Sequence, residues 1–202
     1  MKTAEALALC MILTVVSFLG FVVENIWLSA TKGYMDNRNM CLPFLIGYGI
    51  AIVAIYLLLG TPKSLRFVGK KWKLSRFSYF LLVMLCVSVG EILLGKLVEK
   101  TCCFYWWDYT RIPLHITRYT SIPTSAAFSV LIVTFMNCFF EPLYRYFLSW
   151  DIKTLRYTAI PLMGLLVWDY VYNACLMYQK KEMVPRWKVD TRNSKGYRLL
   201  HS

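Results

Sequence analysis

Carboxylates inside apolar sequence raise the first chemical question. Glu91 and Glu99 stand in a largely apolar stretch with Gly95 midway between them. In a helix, the spacing i, i+4, i+8 sets both carboxylates and the glycine on one face, with Ser88 below. Gly20, Glu24 and Trp27 repeat that arrangement nearer the N-terminus, and Asp169, Tyr172 and Asn173 share a face nearer the C-terminus. A charge near the middle of a membrane helix costs roughly 2.5–3.5 kcal/mol, so such groups turn inward and find partners. Lys96, Arg38 and Arg111 are the nearby cations. Two uses are open. The acids line a polar cavity that holds a cation or a polar headgroup, or they form acid–base and acid–amide pairs that fix helix packing.

The elements that carry these acids follow from charge placement. Of 202 residues, 58% are hydrophobic and 17% charged, against about 25% charged for a soluble domain. That balance excludes a disordered tail, a coiled coil and an ordinary cytosolic enzyme. The net charge of +12 is gathered between long uncharged stretches, as in basic loops joining membrane spans, so nucleic-acid binding is a poor reading of it. Between Glu5 and Glu24 lie 18 uncharged residues, between Arg38 and Lys63 lie 24, and between Arg118 and Glu141 lie 22. Each crosses a ~30 Å hydrocarbon core as a helix. Two further stretches span if an acid is admitted, Glu91 in one and Asp169 in the other.

The sequence therefore predicts an all-α integral membrane helical bundle with spans near 6–28, 40–61, 77–99, 121–146 and 157–179. Residues 1–180 form the bundle and 181–202 a basic polar tail. The first apolar run is too long for a signal peptide and lacks a small-x-small cleavage site, so it is expected to remain. Basic residues number ten on one side of this topology and twelve on the other, which leaves orientation open. Tyr105, Trp106, Trp107, Tyr119, Tyr144, Tyr146 and Trp150 read as an interfacial aromatic belt.

A tandem helix–loop–helix repeat is visible at an offset of 75. Leu19-Gly20-Phe21-Val22-Val23-Glu24 and Leu94-Gly95-Lys96-Leu97-Val98-Glu99 agree at four of six positions. Chance similarity between two apolar helices is the competing explanation. If the repeat is real, both polar loops lie on one side of the membrane.

No catalytic set, metal or cofactor is expected. The seven cysteines contain no C-x-x-C, and His115 and His201 are the only histidines, which excludes the usual zinc and haem patterns. Gly90 to Lys96 imitates the start of a phosphate loop, but Leu97 stands where Ser or Thr holds magnesium and no strand precedes it.

The stretch Phe21 to Gly49, with Glu24, Gly33, Asn37-Arg38, Pro43 and Gly47-Tyr48-Gly49, resembles the first half of a bacterial membrane family, the ABC-transporter permeases of CmpB type. Gly90-Glu91, Glu99-Lys100, Trp106-Trp107-Asp108-Tyr109 and Pro113 resemble its second half. The likeness covers about residues 18–135. Asn39 departs from it, standing where the family has glycine after Asn-Arg. The resemblance implies a multi-pass bacterial plasma-membrane protein working with a separate ATPase or other membrane subunit, or as a homo-oligomer. An ATPase-docking Glu-Ala-Ala…Gly loop is not found in the sequence.

Taken with the acids, the resemblance marks Glu24, Asn37, Arg38, Glu91, Glu99, Trp107, Asp108, Tyr109, Arg111 and Asp169 as candidate solute-binding residues. The expected function is a permease-like subunit binding a polar or cationic solute. The alternatives are an intramembrane enzyme on a lipid-like substrate, using Asp108, His115 and Glu99 as acid–base groups, and a non-catalytic assembly or sensing subunit.

Overall fold

The computed structural model describes residues 2–67, 70–71 and 75–191. Lys73, Arg192, Lys195 and Arg198, which enter the count of basic residues on the two sides, lie outside them. Six helices account for most of the described chain: α1 (Thr3–Lys32), α2 (Ile46–Leu59), α3 (Arg76–Cys102), α4 (Ile122–Cys138), α5 (Phe140–Leu148) and α6 (Ile152–Lys180). Short strand pairs close their ends. β1 (Tyr34–Asp36) pairs antiparallel with β7 (Lys188–Asp190), β2 (Gly60–Thr61) with β3 (Ser64–Phe67), β3 with β4 (Lys70–Lys71), and β5 (His115–Thr117) with β6 (Thr120–Ser121).

The all-α bundle is as the sequence predicts, and α1, α3 and α6 are each long and apolar enough to cross a membrane. Two expected spans differ. Where 40–61 was expected to cross, the helix has 14 residues, about 21 Å at 1.5 Å per residue, short of a ~30 Å core. Arg38 and Asn39, with φ of 49° and 64°, and Pro43 keep the preceding segment out of the helix. The expected span 121–146 is broken into α4 and α5, which meet at 48°. Pro142 explains the break, because its ring lacks the N–H that would bond the carbonyl four residues back and clashes with that carbonyl. Pro161 sits inside α6 without ending it.

Helix ends are capped by local chemistry. Ser75 accepts from the Ser78 amide at 3.1 Å to start α3, and Ser121 from the Thr124 amide at 3.3 Å to start α4. Asp151 takes the Lys153 and Thr154 amides at 3.0 and 3.1 Å at the head of α6, where its charge also suits the helix dipole.

The chain divides into two compact units. Met1–Ile50 with Asp151–Ser202 form one, and Ala51–Trp150 the other. In the first, α1 packs on α6 and on β1. The described part of the expected polar tail is built into this unit through β7. In the second, α3 packs on α4 and on β6. Tyr56, Phe140 and Tyr144 cluster in that unit with centroids 4.4–5.9 Å apart, Phe140 stacked on Tyr144 and Tyr56 tilted against both. Large apolar side chains such as Ile26, Trp27, Leu93, Leu97, Val130 and Tyr157 point outward. Buried positions include Ser17, Ser125 and Ser129 among apolar ones such as Ile12, Val83 and Leu166. Small polar side chains set into an otherwise apolar core, with large apolar side chains also on the outside, are the pattern of a membrane protein, whose helices gain nothing by hiding apolar surface from lipid.

Candidate functional site

In the first unit, Gly20 and Glu24 lie one turn apart on α1. A Cβ placed on Gly20 would fall within 2.8 Å of three Tyr48 atoms, so only glycine lets the ring cross there. The Tyr48 hydroxyl donates to Glu24 at 2.5 Å. Arg38 pairs with Glu24 at 3.4 Å and with Asp36 at 3.8 Å, and the Asp36 carboxylate also accepts the Arg38 amide at 2.8 Å. Asn39 adopts the left-handed conformation that the family's glycine would favour, and asparagine tolerates it better than most residues. Asn37 donates to the Met40 carbonyl at 2.7 Å and holds the turn. Two buried donors of this loop, Arg38 Nε and Asn39 Nδ2, have no acceptor among the described residues.

Asp169 is 2% exposed and fully engaged. It accepts the Cys41 amide at 2.8 Å, the Leu42 amide at 3.2 Å and Asn173 Nδ2 at 2.8 Å. It thus terminates backbone donors of the loop before α2 that have no ladder partner. The segment leading to β7 lies over the same loop. Asn39 and Asn37 accept the Val184 and Arg186 amides at 2.7 and 3.0 Å, and the Arg186 guanidinium reaches Cys41 Sγ and Asn173.

The second unit repeats the tyrosine clasp. A Cβ on Gly95 would fall within 2.9 Å of three Tyr119 ring atoms. The Tyr119 hydroxyl donates to Glu99 at 2.5 Å. Burial of the phenol, its hydrogen bond to Glu99 and the charge of that carboxylate push Tyr119 up to about 12. Trp107 Nε1 donates to the Tyr119 carbonyl at 2.8 Å, with the two rings edge-on at 6.1 Å. The Tyr109 amide donates to the Arg118 carbonyl at 2.8 Å. Arg118 lies 3.9 Å over the Tyr105 ring and pairs with Asp108 at 3.6 Å. The Thr110 backbone and side chain hydrogen-bond the Asp108 carboxylate, and with the charges of Arg118 and Arg111 they hold it below its ordinary range.

Glu91 lies in the same unit. Thr120 Oγ1 is 2.7 Å and Ser125 Oγ 3.2 Å from Glu91 Oε2, and the two hydroxyls are 2.8 Å from each other. Thr120 and Ser125 are fully buried.

Within units, then, Glu24 meets Arg38 as the sequence suggested, and Asp169 meets Asn173. Lys96 and Arg111 are exposed, and neither forms an ion pair among the described residues. His115 is exposed, its Nδ1 3.3 Å from the Ile112 carbonyl. Sequence reasoning missed Tyr48, Thr120, Ser125 and Cys41 as partners of the acids, and it read Tyr119 as interfacial although that residue is 4% exposed. The glycine one turn before each glutamate was the available signal, since a bare Cα marks where another chain segment passes. Among the described residues no group of three or more His, Cys, Asp or Glu could hold a metal. A shallow hollow on α6 is lined by Gly164, Val167, Trp168, Val171, Tyr172 and Cys175, and none of the acids lines it.

No curated protein and no solved structure matches the chain. Residues 11–174 match the family described as "Putative ABC-transporter type IV", and the chain belongs to that family.

Proposed function

We propose that the chain is a permease-like, multi-pass subunit of a bacterial plasma-membrane transporter, carrying a polar or cationic solute along an acid-lined polar path. One observation carries this reading. Glu91 and Glu99 share a face of a membrane-length helix, and both are met by hydroxyls, with no cation in ion-pair distance among the described residues. Acids kept within a span without counter-charge serve ion and solute pathways more often than packing. In this reading Glu24, Asn37, Arg38 and Asp169 shape the loop of the first unit, and Trp107, Asp108, Tyr109 and Arg111 shape that of the second. The α2 segment crosses with the help of its non-helical flank, giving five crossings, and energy comes through a separate ATPase or another membrane subunit.

Purification of the tagged chain from its native membrane in mild detergent tests the reading. An ATP-hydrolysing subunit recovered in fixed proportion supports it. Recovery of the chain with only a non-hydrolysing membrane partner favours an assembly subunit instead. The satisfied hydrogen bonds of buried Asp169 give that second reading its support.

A further inference from the structure

The oxygens of Glu91, Thr120 and Ser125 form a triangle with sides of 2.7, 2.8 and 3.2 Å, all within hydrogen-bonding reach. Each hydroxyl owns one hydrogen. If both donate to an ionised Glu91, the Thr120–Ser125 contact at 2.8 Å sets lone pairs against each other. If one donates to the other hydroxyl, a side of the triangle facing the carboxylate is empty. Ser129 cannot supply the missing hydrogen, because its hydroxyl donates to the Ser125 carbonyl at 2.6 Å. A carboxylic acid supplies it, with Oε2–H donating to Ser125, Ser125 to Thr120, and Thr120 back to Glu91.

Counter-charge leads to the same conclusion. Among the described residues, α4 and β6 are the elements packed most closely on α3 in this unit, and Tyr79 of α3 also reaches the Gly60 carbonyl of β2, which holds no charged group. The sequence of α4 holds no Asp, Glu, Lys, Arg or His, and its only ionisable group is Cys138 at the far end. β6 holds none, and Tyr119 just before it is turned to Glu99. On α3 itself Lys96, Glu99 and Lys100 are exposed and Cys86 is half-buried, and none pairs with Glu91. Glu91 stands just past the middle of the 27-residue helix, where an unpaired charge is most costly in a bilayer.

We propose that Glu91 is a proton-binding site, holding a proton at neutral pH in a ring with Thr120 and Ser125. Its use, which rests on the transporter reading, is to release that proton when a cationic solute arrives. On release the acid O–H bond breaks, the electron pair stays on Oε2, and the proton passes to water. The Ser125 hydroxyl then swings away from Thr120 and joins the Thr120 hydroxyl in donating to the carboxylate, and the incoming cation balances its charge.

Infrared spectroscopy of the full-length chain in lipid vesicles at neutral pH, with no solute or partner subunit, tests the site apart from transport. The expected spectrum contains a carboxylic-acid C=O band that is lost in Glu91→Gln. In Ser125→Ala, which keeps the acid, the same band moves to higher wavenumber as a hydrogen bond is removed. Should Glu91→Gln fail to fold, the Ser125→Ala shift decides. Absence of the band in the wild type, or a band that neither substitution alters, overturns the proposal and leaves the solute reading standing.

Discussion

The Tyr119 hydroxyl lies 2.5 Å from the Glu99 carboxylate, one helical turn beyond the bare Cα of Gly95 that its ring covers. Tyr48 stands in the same relation to Glu24, with Gly20 beneath it. In each unit a glycine admits an aromatic ring and a glutamate fixes its tip. Close approach at a small residue, rather than burial of apolar area, is how helices associate where the solvent is itself apolar. The two clasps differ in charge. Glu24 has Arg38 at 3.4 Å, whereas Glu99 has no cation in ion-pair distance among the described residues.

Gly95→Ala forces a methyl group into the Tyr119 ring. Overpacking of this kind costs about 1–3 kcal/mol. The expected result is a lower melting temperature in detergent, with the larger loss when Gly20→Ala is added. Unchanged melting in both variants contradicts the clasp.

Tyr119 should ionise late. Its hydroxyl is raised from 10.0 to about 12, so the neutral phenol is the form the fold favours. The stabilisation is complete below the unfolded value near 10 and is lost as pH rises through about 12. Tyrosinate absorbance should show this group titrating above the exposed tyrosines. Glu99→Gln should lower it part of the way, because burial remains while the carboxylate charge and its strong hydrogen bond are gone.

Asp108 acts in the opposite direction. Its carboxyl is held below 3.8 by the Thr110 hydrogen bonds and the Arg118 and Arg111 charges. Its contribution is therefore present above the unfolded value and disappears as pH falls through the lower folded one. Trp106 and Trp107 fluorescence should report an acid-side loosening of this loop in the wild type. Asp108→Asn should flatten that acid limb and leave the signal at neutral pH nearly intact, since the ion pair is exposed and worth little.

Asp169→Asn should cost stability. The amide has one oxygen for the Cys41 and Leu42 amides and Asn173 Nδ2, which the carboxylate now serves together. Leaving a buried donor unmatched costs about 1–3 kcal/mol. Reduced thermal stability with transport per folded molecule preserved is the expected result. Lost transport at full stability would move Asp169 into the solute path.

A charge-bounded apolar run made α1 legible in the sequence, and α3 and α6 followed once Glu91 and Asp169 were admitted to their spans, because lipid tolerates little else over that length. The short α2 and the α4–α5 break were less so, although Asn39, Pro43 and Pro142 were in plain view. A tract's hydrophobicity says that it is buried in lipid or protein, not that it is one unbroken helix. The Gly-x-x-x-Glu repeat was readable, but its tyrosines were not. Tyr48 and Tyr119 fall at different distances from their glycines, and an aromatic near a span end reads as interfacial. Thr120 and Ser125 lie 29 and 34 residues from Glu91, and Lys188 to Asp190 pair with the distant β1. No local periodicity reports such long-range contacts.

The central claim is that the acid face of α3 handles a cationic solute. Uptake of labelled choline, arginine and spermidine into energised vesicles made from the native membrane, carrying the wild-type or Glu99→Gln chain together with its partner subunits and normalised to folded protein, tests it most directly. The account predicts uptake of at least one of these by the wild type and a loss of about tenfold or more per folded molecule in Glu99→Gln, equivalent to ~1.4 kcal/mol, beyond any fall in melting temperature from the weakened Tyr119 clasp. Equal uptake by both chains, or a loss that only tracks a fall in stability, contradicts it.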